Sequence, residues 1–232
     1  MLWLLVLVGN SLVLCAEATE STSASARASK SNNDNRERVR DYLRSTVYFP
    51  DYTVRLYYRA DCQRAKSRSP DSPVPFPSVS VETPSKGETG LAAARHIFRN
   101  ARNVVIKEDP GRIIRIWIGN VPTAILRTRI SLVKLDKHAR NTKLGAVEAI
   151  LNTKEVQAAM ETLGVGTPSY VSSEMAITPS PYPSKMKNVT LDQALDVIAK
   201  AWDGILIYGA CAKPDRSGMK LFDIEAANRI FF

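Results

Sequence analysis

Histidine and cysteine are scarce in this sequence. Its 232 residues include two His and three Cys, which leaves few side chains for a zinc or iron site. No segment matches a Gly-x-Ser-x-Gly nucleophile elbow, a His-Glu-x-x-His pair, a phosphate-binding loop or a dinucleotide fingerprint. We therefore predict that the protein is not an enzyme and that it has no catalytic residues, no metal and no other cofactor.

A hydrophobic run long enough to span a membrane is also missing. The apolar N-terminal segment, residues 2–14, is interrupted by polar residues and is shorter than the about 20 residues of a spanning helix. It is followed by Ala16-Glu17-Ala18, a small-x-small pattern typical of signal cleavage. We predict a signal peptide over residues 1–18, cleaved after Ala18, and a secreted or periplasmic mature chain without a transmembrane span. An uncleaved anchor and lipidation of Cys15 are less favoured alternatives.

Cleavage leaves two cysteines, Cys62 and Cys211. An even pair in an oxidising compartment predicts one disulfide bond, and two unconnected buried thiols are the alternative. A small hydrolase with Cys211 as nucleophile and His96 or His138 as base is a further alternative function, because such partners meet in space rather than in sequence.

Composition divides the rest of the chain into four segments. Residues 19–37 are rich in Ser, Ala, Thr and Asn and lack aromatic side chains, which predicts a disordered leader. Residues 38–164 are predicted to form a basic α+β module with a helical pair. Four Pro together with Ser and Tyr in residues 165–185 indicate a linker. Residues 186–232 form a second module.

Cap and turn residues predict the elements of the first module. Ser85-x-x-Glu88 has the pattern of a capping box at a helix start. Asp109-Pro110-Gly111 is typical of a tight turn, in which Pro presets φ and Gly supplies a positive φ. The predicted elements are strands at 52–58, 78–82, 104–106 and 113–118 and a helix at 86–101.

The second module repeats the strand-helix-strand-strand order of residues 78–118. Thr190-x-x-Gln193 is another capping box, and an apolar stripe follows it at helical spacing. The stripe consists of Leu191, Ala194, Leu195, Ile198 and Trp202. Predicted strands lie at 187–190, 205–208 and 219–224, and the shared order suggests an internal duplication.

A strand and two helices are predicted between the modules. Residues 128–135 alternate as in a strand, Thr142 begins one helix, and Asn152-x-x-Glu155 caps a second helix that ends at Gly164. The predicted fold is therefore α+β, with two small β-α-β-β modules whose short helices pack on mostly antiparallel sheets.

One segment carries a family resemblance. Residues 188–208 read Asn-Val-Thr-Leu-Asp-Gln-Ala-Leu-Asp-Val-Ile-Ala-Lys-Ala-Trp-Asp-Gly-Ile-Leu-Ile-Tyr. With its flanks, over residues 186–225, it resembles the short N-terminal domain of bacterial secretins and TonB-dependent receptors, although no secretin pore, plug or barrel sequence accompanies it here. The resemblance implies a periplasmic docking module without catalytic residues that contacts other envelope proteins.

Positive charge is concentrated in one part of the chain. Residues 36–143 hold 22 Lys and Arg against 10 Asp and Glu, whereas residues 144–232 hold 8 against 10. A basic surface attracts polyanions, so binding of lipopolysaccharide, acidic glycan or DNA is an alternative function. A solvated basic face without a ligand is the simpler interpretation of the charge pattern. No pattern for specific nucleic-acid readout occurs. The predicted basic patch comprises Arg64, Lys66, Arg68, Arg95, Arg99 and Arg102.

These patterns favour a non-catalytic interaction module of the bacterial cell envelope, with a protein partner. We predict that the partner adds a strand to an exposed edge of the C-terminal module. The predicted edge residues are Ile205, Ile207 and Tyr208.

Overall fold

The computed structural model describes residues 34–63, 74–137, 139–167, 182–201, 204–214 and 218–229. Several predictions fall outside these residues. They concern the signal peptide with Cys15 and Ala18, most of the leader and of the linker, the loop with Arg64, Lys66 and Arg68, and the side chains of His138 and Trp202.

The described residues form an α+β fold, which confirms the predicted class. The helices are α1 (34–44), α2 (Gly90–Ile97), α3 (Lys143–Leu151), α4 (Lys154–Leu163) and α5 (Leu191–Ala201). The strands are β1 (Thr53–Ala60), β2 (Val104–Asp109), β3 (Ile113–Ile118), β4 (Arg129–Lys134), β5 (Val165–Gly166), β6 (Lys185–Thr190), β7 (Gly204–Cys211) and β8 (Lys220–Asn228). Within the described part of the chain, no helix is both long and apolar enough to cross a membrane.

Six strands form one sheet in the order β2-β3-β1-β7-β8-β5, and β4 pairs with β6 in a small second sheet. The central strand β1 runs parallel to both of its neighbours, β3 and β7. The pairs β2-β3 and β7-β8 are antiparallel hairpins. Strands β1 and β7 are buried along nearly their whole length, as expected for strands covered on both faces.

The sheet separates two hydrophobic clusters because side chains alternate along each strand. On one face, Val54, Leu56 and Tyr58 of β1 pack with Ile205 and Ile207 of β7, beneath α1 and α2. On the other face, Tyr57, Leu206 and Tyr208 pack against α3, α4 and α5. Helices therefore cover both faces of the sheet.

Local cap chemistry is confirmed at three helix ends. The Thr190 N–H donates to Gln193 Oε1 at 2.8 Å, and the Gln193 N–H donates back to Thr190 Oγ1 at 3.2 Å, which completes the capping box of α5. The Thr142 hydroxyl accepts from the Gly145 N–H at 3.0 Å at the start of α3. Gly164 ends α4 with a left-handed φ of 59°.

The predicted start of α2 was wrong. Glu88 does accept a hydrogen bond from the Ser85 N–H at 2.9 Å, but the two residues form a turn before the helix. The helix begins at Gly90, whose φ is +57° and whose N–H donates to Tyr48 O at 2.7 Å. A Cβ at this position would lie 2.7 Å from the Tyr52 ring, so this close approach requires glycine.

The predicted strand at 78–82 was also wrong. The segment buries Val79 and Val81, which explains its alternating pattern, but it pairs with no strand in the described residues. The Asn35 side chain takes the place of a strand partner, since its amide bonds both the C=O of Val79, at 2.8 Å, and the N–H, at 3.3 Å.

Two smaller differences concern the repeat and a helix cap. Thr153 is the N-cap of α4, and Asn152 instead ends α3. The two hairpins lie on opposite sides of β1 in one sheet, and they enter it differently: β1 adjoins the second strand of one hairpin, β3, and the first strand of the other, β7. The likeness in element order does not extend to strand pairing.

Candidate functional site

Strand β7 is not a sheet edge, so the predicted partner site at Ile205, Ile207 and Tyr208 was wrong. The strand pairs with β1 on one side and β8 on the other. The three side chains are at most 2% exposed. The uninterrupted apolar run Gly204–Cys211 is typical of a central strand buried on both faces, so the sequence itself indicates that β7 is not an edge strand.

One edge of the large sheet is β2, and the other is the two-residue strand β5, which pairs with β8 at Lys220 and Leu221. Among the described residues, β3 is the one strand that pairs with β2. Val105 is 52% exposed on β2, and Lys107 and Glu108 are exposed as well. The β2 edge therefore offers backbone groups and an apolar side chain to a partner.

The register shows which backbone groups face outward. The Gly119 N–H donates to Asn103 O at 2.8 Å, and the antiparallel register from Val104–Ile118 to Asp109–Ile113 continues from this pair. Hydrogen-bonded and non-hydrogen-bonded pairs alternate in an antiparallel ladder. The N–H and C=O groups of Val104, Ile106 and Glu108 therefore point away from β3.

A cleft of about 980 Å³ adjoins the start of β2. It lies beyond the carboxyl ends of the parallel strands β1 and β3, the end of a sheet at which ligands bind in open α/β folds. Its polar lining includes Arg59, Arg102, Asn103 and Asn120, and its apolar lining includes Phe76 and Ile118.

Three residues of the predicted basic patch, Arg95, Arg99 and Arg102, lie among the described residues, and the patch stays a prediction. Arg95 lies in the last turn of α2, Arg99 lies two residues beyond the end of that helix, and both are exposed. Arg99 forms an ion pair with Glu82, which partly neutralises the positive charge of Arg99. Arg102 lines the cleft together with Arg59, which the sequence pattern did not indicate because it is the one exposed residue of an otherwise buried strand. The polyanion-binding alternative stays a prediction.

A second polar grouping ties α5 to the sheet. Arg55 of β1 and Arg115 of β3 are register neighbours on one face of the sheet. Arg55 is fully buried and contacts both Asp192, at 2.9 Å, and Asp196 of α5. Arg115 contacts the same two carboxylates, Asp192 at 3.1 Å, and also Asp109. Each guanidinium thus faces at least two carboxylates, as a buried ion-pair network requires.

Tyr57 completes this cluster. Its hydroxyl donates to Asp192 Oδ1 at 2.9 Å, and its ring stacks on Trp117 with centroids 5.3 Å apart. Burial and the nearby Asp192 raise the pKa of Tyr57 well above its usual range, although Arg55 and Arg115 act in the opposite direction. The phenol stays neutral and serves as a hydrogen-bond donor. Sequence signals for the cluster were Arg55 in an apolar strand and two Asp four residues apart on α5.

A third grouping joins α1 to β8. Arg40 bonds Glu225 at 3.0 Å, and Arg36 contacts Glu225 and lies 3.6 Å from Asp223. Burial alone would raise the pKa of Glu225, but Arg36 and Arg40 outweigh it and hold that pKa below its usual value. The cluster fixes the first described helix to the last described strand.

The predicted disulfide between Cys62 and Cys211 is present, with Cα atoms 5.5 Å apart. It links the carboxyl ends of the adjacent strands β1 and β7. Because its sulfur is in the disulfide, Cys211 has no thiolate to act as nucleophile, and the predicted Cys–His arrangement does not form in this state.

His96 has a partner that its sequence spacing did not suggest. Its Nδ1 lies 2.7 Å from Glu88 Oε2, because the turn before α2 brings Glu88 back over the helix. No group of three or more His, Cys, Asp or Glu that could hold a metal ion occurs in the part of the chain that the structure describes.

Comparisons with known proteins leave the family open. No protein-family model, no curated protein and no solved structure matches the chain. The resemblance of residues 186–225 to the secretin and TonB-dependent receptor domain therefore stays a prediction.

Proposed function

We propose that this protein is a non-catalytic interaction module of the bacterial cell envelope and that it binds a protein partner by strand addition to β2. The observation that carries the proposal is the open edge of β2, with the backbone groups of Val104, Ile106 and Glu108 directed outward. In this binding mode, main-chain hydrogen bonds provide affinity and pockets for alternate side chains provide specificity.

The residues of β2 suit an edge strand that pairs with a specific partner. Its charged residues, Lys107, Glu108 and Asp109, oppose uncontrolled pairing between copies, as charges on natural edge strands do. At the same time Val105 stays exposed beside Trp117, its register neighbour on β3, and offers an apolar contact on one face. Such an edge favours a partner with matching side chains over indiscriminate association.

Two observations support an envelope location for this activity. The apolar segment 2–14 followed by Ala16-Glu17-Ala18 has the pattern of a signal peptide. The disulfide between Cys62 and Cys211 fits a protein that matures in an oxidising compartment. The sequence resemblance to envelope docking domains agrees with both.

The test is capture of partners from native envelope extract by the tagged chain 19–232, with Glu108→Pro as the variant. Proline removes the outward N–H of residue 108 and leaves the ladder to β3 intact, which is the position at which edge strands tolerate it. Glu108→Ala is the matched control because it removes the same carboxylate and keeps the N–H. We expect a defined protein that the wild type and the alanine variant retain and the proline variant loses.

Circular dichroism and thermal unfolding of both variants establish that they are folded. Equal capture by the folded proline and alanine variants would contradict strand addition to β2. Capture is repeated at low and high salt, because contacts between exposed charges weaken as salt rises. Enrichment of polyanions alone, released by salt, would replace the proposal with the polyanion-binding alternative.

A further inference from the structure

We propose that the partner segment is a chain terminus that runs antiparallel to β2 and places its C-terminal carboxylate in the cleft beside Arg102 and Arg59. This inference rests on the proposed function, because it requires an added strand at β2. It adds the direction of that strand and the chemical group at its end.

The position of the cleft sets where an added strand can end. Arg102 and Asn103 immediately precede β2, and both line the cleft. An antiparallel strand lies about 4.8 Å outside β2 and runs toward the start of β2. Its last residues therefore arrive at Arg102 and Asn103.

Charge favours the antiparallel direction over the parallel one. The segment from Arg102 to Asp109 is basic at its start, and near its end the exposed Lys107 and Glu108 lie on opposite faces of the strand, with Glu108 and Asp109 acidic. Arg115 compensates Asp109, whereas no residue in the described ranges forms an ion pair with Glu108. A parallel strand would bring a terminal ammonium to Arg102. An antiparallel strand brings a carboxylate there and sets its earlier residues, preferably basic, beside Glu108.

The cleft has the groups that a carboxylate needs. Neither Arg59 nor Arg102 forms an ion pair with another residue that the structure describes, and the acidic residue that shares the lining is Asp61. A guanidinium binds a carboxylate through two parallel hydrogen bonds, and the Asn103 side chain adds a further amide donor. Phe76 and Ile118 provide an apolar wall for the last side chain, so the terminal residue is expected to be apolar.

A chain terminus fits this place better than an internal acidic side chain. Strand β2 begins at Val104, and before it the backbone turns at Asn103, whose φ is +59°. An added strand therefore loses its hydrogen-bonding partner at the mouth of the cleft. A chain that ends there needs no exit path, whereas an internal Asp or Glu would require the chain to leave the cleft again.

The test compares two random octapeptide libraries screened against the chain 19–232. One library displays peptides with a free C-terminal carboxylate, and in the other the peptide continues into the carrier protein. We expect enrichment from the free-carboxylate library alone, with an apolar last residue. Equal enrichment from both libraries, or enrichment from neither, would overturn the inference.

The strongest peptide is then synthesised as the acid and as the amide, and the two affinities are measured by fluorescence anisotropy. We expect the acid to bind at least tenfold more tightly, which corresponds to about 1.4 kcal/mol. Arg102→Gln should remove this difference. Arg129→Gln, a substitution of an exposed arginine on β4, is the charge-matched control and should leave it unchanged.

The same measurements separate the two proposals. If Glu108→Pro abolishes binding while amidation and Arg102→Gln have no effect, strand addition stands and carboxylate recognition fails. If binding is insensitive to Glu108→Pro, the proposed docking at β2 fails, and the inference fails with it.

Discussion

At the scale of single residues, Glu225 illustrates how burial and charge compete. It lies on β8 between Arg36 and Arg40 of α1, and its side chain is 20% exposed. Desolvation disfavours its ionised form, but two guanidiniums at contact distance reverse that effect and lower its pKa. The Glu225 carboxylate therefore helps to hold α1 against the sheet.

This lowered pKa predicts a loss of stability in acid. A carboxyl whose pKa is lower in the folded than in the unfolded state stabilises the fold at pH values above the unfolded pKa, about 4.5 for Glu. That contribution disappears as the pH falls through the folded pKa. We expect the free energy of unfolding, measured in urea, to fall below about pH 4.5 and Glu225→Gln to make this fall shallower.

Glu37→Gln is the control for this prediction. Glu37 also pairs with Arg40, but its side chain is 52% exposed, and exposed ion pairs contribute little to stability. The control should keep the wild-type slope of unfolding free energy against pH. Identical slopes for the wild type and Glu225→Gln would contradict the assignment.

The residue contacts show which features of the fold can be predicted from local sequence patterns and which cannot. The Thr190–Gln193 capping box joins residues three apart, so its pattern is visible in the sequence and the structure confirms it. Arg36 and Glu225 are 189 residues apart, and no local pattern connects them. The same holds for the arginines that line the cleft, which only strand pairing brings together.

At the scale of elements, α5 is held to the sheet by ion pairs as well as by its apolar stripe. Asp192 and Asp196 lie one turn apart and meet the buried Arg55 and its neighbour Arg115. Removing one partner of a buried ion pair leaves an uncompensated charge, which is strongly destabilising.

We therefore expect Asp196→Ala to lower the free energy of unfolding by about 3 kcal/mol or more, measured by urea denaturation at neutral pH. Asp41→Ala is the control. The Asp41 side chain is 57% exposed and lies 3.9 Å from Arg44, so its loss should change stability by at most about 0.5 kcal/mol. A similar small effect for both variants would show that the cluster contributes no more than a surface pair.

Element positions were predicted best where the signal is local. The hairpin around Pro110 and Gly111 follows from its turn residues, and Gly111 has the expected positive φ of 84°. The error at β7 arose because the prediction followed chain order, which does not say which strand lies at an edge, although the apolar run Gly204–Cys211 indicates a central strand. β1 covers β7 on one side, although more than 140 residues separate them in the chain.

At the scale of the whole molecule, one disulfide joins distant parts of the chain. Cys62 and Cys211 are 149 residues apart, and their strands are neighbours in the centre of the sheet. Cross-linking so long a loop restricts the unfolded chain, and the loop-entropy model gives an upper estimate of about 5 kcal/mol.

We expect the double variant Cys62→Ala and Cys211→Ala to stay folded with a lower unfolding midpoint in urea. Adding a reductant should lower the midpoint of the wild type and leave that of the variant unchanged. An equal midpoint for the oxidised wild type and the double variant would show that the cross-link contributes nothing to stability.

Amide hydrogen exchange of the chain 19–232, free and saturated with its captured partner, reports strand addition to β2 at single residues. In the free protein the outward N–H groups of Val104, Ile106 and Glu108 face no strand in the described fold and should exchange quickly. On binding, we predict that exchange at these three amides slows about tenfold or more. Protection elsewhere in the chain, with exchange at these three amides unchanged, would contradict strand addition to β2.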